Sequence, residues 1–268
     1  MRKLLTALLA TLALLFVSAC GSDDSGGGSG SSEGVGENKD VELTQENFAE
    51  EISKAQLDAG TAHMAMTMDL MGTPVTMEGD TVLAEDPAEV AMSIAMDMEG
   101  MGAPEGTKMD MRMVDQVIYM NMGQMTQDKF VKIDLTDESN PLGAQFGDIL
   151  DQSNPAAQIE AMNDAITSFE EAGDGGEIDG VSTTKYNLTL DAASMLEAQG
   201  QDTVGAPETF DYVMYIGEDN LPRQMDIEIP GMGTSTIEWS KWGEDVSIDA
   251  PADDEITDED PFAGMAGS

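Results

Sequence analysis

Val90-Ala91-Met92-Ser93-Ile94-Ala95-Met96-Asp97-Met98 decides how the chain is read. Val90, Met92, Ile94, Met96 and Met98 alternate with Ala91, Ser93, Ala95 and Asp97. In an extended strand successive side chains point to opposite faces, so one face here is wholly apolar and the other small or acidic. A helical face recurs every three to four residues and cannot collect this set. The segment is therefore a half-buried strand.

The same period spreads outward. Upstream, Met64, Met66, Met68 and Leu70 alternate with Ala65, Thr67 and Asp69. Downstream, Met109, Met111 and Met113 alternate with Lys108, Asp110 and Arg112, and Ile118, Met120 and Met122 with Tyr119 and Asn121. Further on, Tyr186, Leu188 and Leu190 are followed by Phe210, Tyr212, Met214 and Ile216. Met225, Ile227 and Ile229, then Ile237 and Trp239, continue the pattern. The turns between them are short: Gly72-Thr73-Pro74, Asp179-Gly180, Asp219-Asn220 and Gly231. Short connections join antiparallel neighbours. The expected fold is mainly β with a few helices (α+β): one large, curved antiparallel sheet, a half-barrel, with two or three helices on its apolar face.

Three helices are expected. The first carries Phe48, Ile52, Ala55 and Ala59 at helical spacing, with Thr44 as N-cap, a Leu43–Phe48 staple and Gly60 as stop. The second follows Asn154-Pro155, with Ile159, Met162 and Ile166 as its stripe, and the third runs from Asp191 to Gly200.

Composition removes whole classes of function. The 268 residues hold 53 Asp+Glu against 11 Lys+Arg, a formal charge of −42. Such a chain lacks the clustered cations that replace counterions on a phosphate backbone, so nucleic acid is not expected as a partner. One Cys makes no internal disulfide and one His makes no His-rich metal site. No Gly-x-Ser-x-Gly elbow, phosphate loop or dinucleotide fingerprint is present, so no enzyme activity and no cofactor are expected.

The ends carry a second message. Arg2 and Lys3 precede the apolar run Leu4–Val17, and Val17-Ser18-Ala19-Cys20 closes it. That is the layout of a secretory signal peptide over residues 1–19, too short for a comfortable membrane span. It ends in a bacterial lipobox whose Cys20 is acylated, with two or three acyl chains making a stable anchor on the extracytoplasmic side of the cell membrane. Residues 20–40, rich in Gly, Ser and acids, read as a flexible tether. Residues 41–251 form the domain, and 252–268 read as a solvated acidic tail.

The candidate site is the apolar face itself. Its inward positions are Met64, Met66, Met68, Met77, Met92, Ile94, Met96, Met98, Met109, Met111, Met113, Met120 and Met122, joined in the second half by Tyr186, Leu188, Tyr212 and Met214. Unbranched, adaptable methionine suits a surface that repacks around variable apolar ligands, and also fills irregular cores. Two other readings stay open on the residues alone. One is an acidic interaction scaffold with a filled core. The other is soft Cu(I) coordination by Met-x-Met thioethers.

Several stretches resemble one family. Gly176-Glu177-Ile178-Asp179-Gly180-Val181-Ser182-Thr183-Thr184-Lys185-Tyr186 is similar to a hairpin of actinobacterial lipoproteins of the LppX/LprA/LprF/LprG type. Pro207–Ile229, with Leu221-Pro222-Arg223 after an acidic turn, resembles the following strand pair, and Trp239-Ser240-Lys241-Trp242-Gly243 through Pro251 the last strand. Val114–Met120 and Phe130-Val131-Lys132-Ile133-Asp134 resemble the central hairpin. The resemblance spans residues 44–251. It implies a LolA-like half-barrel with helices in its concave side and a cavity for acyl chains of envelope lipids or glycolipids. It also implies a role in lipid transport rather than catalysis. Methionine replaces the family's usual aliphatics here.

Overall fold

The structure, a computed structural model, describes residues 42–70, 73–86, 88–98, 107–136, 163–198, 203, 207–229 and 233–257. The expected signal peptide, Cys20 and tether lie outside the described residues, as do Ile159, Met162 and the tail from residue 258.

Twelve strands form one open sheet. They are β1 (Thr61–Leu70), β2 (Thr73–Val82), β3 (Ala91–Asp97), β4 (Lys108–Val114), β5 (Val117–Asn121), β6 (Phe130–Asp134), β7 (Ile166–Ile178), β8 (Val181–Asp191), β9 (Thr209–Gly217), β10 (Pro222–Ile229), β11 (Gly233–Ser240) and β12 (Ile256–Thr257). Their spatial order is β12-β6-β5-β4-β3-β2-β1-β11-β10-β9-β8-β7. Two meanders, β1–β6 and β7–β11, thus lie side by side and join where β1 pairs with β11. Every pair is antiparallel except β12 on β6.

Helix α1 (Phe48–Ala59) buries Phe48, Ala49, Ile52, Ser53 and Ala55, a stripe at the spacing of one helical face. Glu50 and Glu51 in its first turn complement the helix dipole. It stops at Gly60, whose φ of 75° lets its N–H reach Gln56 O. Its cap is Asn47, not Thr44. A turn comes first, in which the Thr44 N–H donates to Asn47 Oδ1 at 2.7 Å and the Thr44 carbonyl accepts from the Asn47 and Phe48 N–H groups. Leu43 and Phe48 are both buried in the one core, as a staple requires. Helix α2 (Ala192–Ala198) starts where Asp191 Oδ1 accepts the Ser194 N–H at 2.7 Å, and the Ser194 hydroxyl first, then this N–H, hold the Asp191 carboxyl below its ordinary range.

The turns explain the antiparallel order. Asp179 and Gly180 (φ 51° and 76°) join β7 to β8, and Asp115 and Gln116 (φ 52° and 61°) join β4 to β5. Both pairs have the positive φ values of the mirror-image turns that match strand twist.

Three expectations about boundaries are corrected. Thr73 and Pro74 already belong to β2, since Leu70 faces Thr73 across the turn. Ile166 opens β7 instead of closing a helix stripe; only Asn163–Ala165 before it are helical among the described residues. The acidic tail does not begin at residue 252: Asp253–Glu255 form a short 3-10 turn and β12 pairs with β6. The segment leading there straps back from the middle of the sheet to its edge. Gly243 N–H donates to Thr61 O at 3.0 Å, Thr61 Oγ1 to Glu244 O at 2.7 Å, and Arg112 Nη1 to Asp249 O at 3.2 Å.

Candidate functional site

Strand register aligns the inward residues into rows that cross the sheet. One row runs Met109, Met96, Met77, Met66, Ile237, Met225, Met214 and Tyr186, from β4 to β8. Above it run Val131, Met120, Met111, Ile94, Gly79, Met64 and Trp239, then Ile133, Ile118, Met113, Met92, Thr81 and Ala62. Below it run Val75, Met68, Ser235, Ile227, Tyr212, Leu188 and Phe169. The rows form one continuous apolar floor. Cross-strand neighbours of this kind are the units that stabilise a sheet.

The outer face takes the polar partners. His63 lies there, its Nδ1 2.7 Å from Asp80 Oδ1 on β2. Lys108 faces Asp97, and Arg112 lies over the buried Phe130 ring, 5.1 Å from its centroid. The acidity and the methionine therefore occupy opposite sides of the same strands.

The floor has two unequal halves. Met64, Met66, Met68, Met77, Ile94, Met96, Tyr186, Leu188, Tyr212 and Met214 are buried, in one core with Phe48 and Ile52 of α1 and Met195 of α2. Phe48 makes an edge contact with Phe169 at 5.3 Å, and Phe169 a tilted one with Tyr186 at 5.4 Å, so α1 is pinned over β7 and β8. On the other half, Met92, Met98, Met109, Met111, Met113, Met120 and Met122 are only half-buried, with Met111 and Met113 packed on a second buried cluster of Ile118, Ile133 and Leu135. These seven form a contiguous apolar patch on β3, β4 and β5 and their ends. Large partly exposed apolar patches mark interaction sites more often than chance surface.

Between the halves sits a hollow of about 10 Å³, lined by apolar residues such as Met64, Met92, Ile94 and Trp239 and also by Gln56, Asp80 and Thr81. That is room for about one water, far below the several hundred Å³ of a preformed ligand pocket. The ready-made cavity implied by the family resemblance is not what this hollow provides. Gly79 borders it because β3 comes too close for a side chain: a Cβ there would stand 2.2 Å from Ser93 O.

The buried polar residues Arg223 and Ser235 escaped the sequence reading. Arg223 is 6% exposed, with Nη2 donating to Asp219 Oδ2 at 2.6 Å and Nη1 to Leu221 O at 3.2 Å, tying the β9–β10 turn. Ser235 is 1% exposed and its Oγ has no hydrogen-bond partner. Strand parity with Ile237 is the signal that would have found Ser235, whereas Arg223 lies where β10 shifts register between Pro222 and Gln224 and parity is lost.

No helix among the described residues is long and apolar enough to cross a membrane, and no group of three or more His, Cys, Asp or Glu among them could hold a metal ion.

A one-sided antiparallel sheet with helices on its apolar face defines the structural class. The crystal structure of the lipoprotein LppX from Mycobacterium tuberculosis has the same fold: TM-score 0.51 and 18% identity over 77% of this chain and 100% of that one. LprF from Mycobacterium bovis matches at TM-score 0.48 and 17% identity, over 78% of this chain and 97% of that one. No protein-family model and no curated protein sequence matches the chain.

Proposed function

We propose that this protein is an envelope lipoprotein, anchored through acylated Cys20 outside the cell membrane, that carries acyl chains of envelope lipids or glycolipids on its methionine floor. It acts in lipid transport and is not an enzyme. The observation that carries the reading is the half-buried patch of Met92, Met98, Met109, Met111, Met113, Met120 and Met122, continuous with a buried core of the same chemistry. The LppX-type fold and the lipobox sequence support it.

The chemistry is transfer without covalent change. Each methylene that leaves water for an apolar surface gains about 0.8 kcal/mol. Since the existing hollow is small, room for a chain is made by methionine rotamers, which move at low cost because the side chain is unbranched. The tether and the acidic outer face keep the domain hydrated beside the membrane.

Photolabelling with a diazirine-bearing fatty acid tests the site. Adducts on peptides from β3–β5 are expected. Labelling confined to the outer face, or none, overturns the reading.

A further inference from the structure

We propose that Ser235 is a hydrogen-bonding subsite for an oxygen carried along an acyl ligand, that Tyr212, two strands away, is a separate donor to a second polar atom of that ligand, and that the floor selects oxygenated chains over plain ones. This rests on the acyl-carrier reading above. The oxygen would be a mid-chain hydroxyl or an ester carbonyl.

The fold retains a cost at one inward position of β11. Ser235 sits inward on β11, between Met68 on β1 and Ile227 on β10. It is 1% exposed and its hydroxyl oxygen is unpartnered. A buried hydroxyl without a partner destabilises the fold, and alanine would fill the same space without that cost. A water does not answer the need, since a buried water requires two to four polar partners and the flanking side chains are apolar. What answers it is an oxygen brought in by a ligand.

Tyr212 belongs to the same row. It faces Ile227 from β9, and its hydroxyl donates to Met195 Sδ at 4.0 Å, a weak acceptor. Burial holds that hydroxyl far above the ordinary tyrosine range, so it remains a neutral donor. Two strand spacings put the positions about 10 Å apart. Met68 and Met195, beside the two hydroxyls, are the flexible side chains whose movement would admit a chain. A site built to hydrogen-bond an oxygen discriminates against an analogue that lacks it far more sharply than an apolar pocket discriminates by size.

The test uses the full chain carrying Cys20→Ser, with a dansyl-labelled undecanoic acid as the bound probe. A mid-chain hydroxylated octadecanoate and plain octadecanoate compete for it. The hydroxylated chain is expected to displace the probe at about tenfold lower concentration, equivalent to about 1.4 kcal/mol. Ser235→Ala brings the two competitors together, Tyr212→Phe weakens both alike, and the unliganded Ser235→Ala protein melts no lower than its parent. Equal competition in the parent, a preference that survives Ser235→Ala, or a lowered melting temperature in that variant overturns the subsite alone. A probe that does not bind at all overturns the carrier reading and the subsite with it.

Discussion

Met96 on β3 stands opposite Met109 on β4, and the division of the floor falls between them: Met96 is 9% exposed and belongs to the core, while Met109 is half-buried. Two residues of one type, in register on adjacent strands, thus have different surroundings. That difference separates the packed part of the floor, which a chain enters only as side chains such as Met68 and Met195 move, from the part open to a ligand as it stands.

The first prediction follows directly. Met96→Trp forces extra volume into a filled site and is expected to destabilise by about 1–3 kcal/mol. Met113→Trp, on the half-buried patch, is expected to cost less than about 0.5 kcal/mol while weakening acyl-chain binding. Denaturant melts of both variants, with probe binding alongside, check the contrast. A uniformly packed face would show the two variants equally destabilised.

The aromatic contacts that seat α1 make a second prediction. Phe48 is fully buried and touches Phe169 and Tyr186. Phe48→Ala is expected to cost about 3–5 kcal/mol, the range for deleting a core phenylalanine. Phe48→Leu, which keeps most of the volume, should recover a large part of that in thermal unfolding.

Ion pairs divide in the same way. Lys54 and Asp58 meet at 2.6 Å with both side chains more than half exposed, so Asp58→Asn should change stability by less than about 0.5 kcal/mol. Asp219 meets the buried Arg223 at the same distance. Asp219→Ala leaves that guanidinium short of a partner and is expected to cost about 1–3 kcal/mol. Chemical denaturation of the two variants in one buffer measures the difference.

Gln116 holds a left-handed φ of 61° in the β4–β5 turn without being a glycine. Gln116→Gly relieves that backbone penalty, in the turn type that prefers Asn-Gly or Asp-Gly, and Asp115 already precedes it. The variant is expected to melt a few degrees higher, and a lower melting temperature would show that the Gln116 side chain contributes more than its backbone costs.

Most of the sheet was legible because alternation is a local signal. Met64–Leu70, Val90–Met98 and Met109–Met113 each announce a strand and a face before any partner is known. Edge strand β7 was not, because Glu170, Glu171, Asp174 and Glu177 and the glycines among them show no alternation. Its pairing with β8 shifts register at Ser168, Asp174 and Gly176. Charged, irregular edges of this kind resist pairing with other chains. The site was half legible. Parity tells which face Met111 or Met214 occupies, but not what lies over it, so the division between the half-buried methionines of β3–β5 and the buried remainder required tertiary structure. Ser235 was hidden differently: Thr234-Ser235-Thr236 is polar throughout, and only counting back from Ile237 turns its hydroxyl inward.

The anchor is tested apart from the domain. Cys20→Ser is expected to move the protein from the membrane to the soluble fraction in detergent-free fractionation. Retention of the variant on membranes would contradict an acyl anchor at that residue.

The central claim is that the methionine floor holds acyl chains, and native mass spectrometry of the full chain carrying Cys20→Ser, purified without detergent from its own host, tests it most directly. The predicted result is a population heavier than the polypeptide by the mass of an acylated lipid, reduced in Met113→Trp. Bare polypeptide alone, with a Met113→Trp spectrum that matches it, would contradict the account.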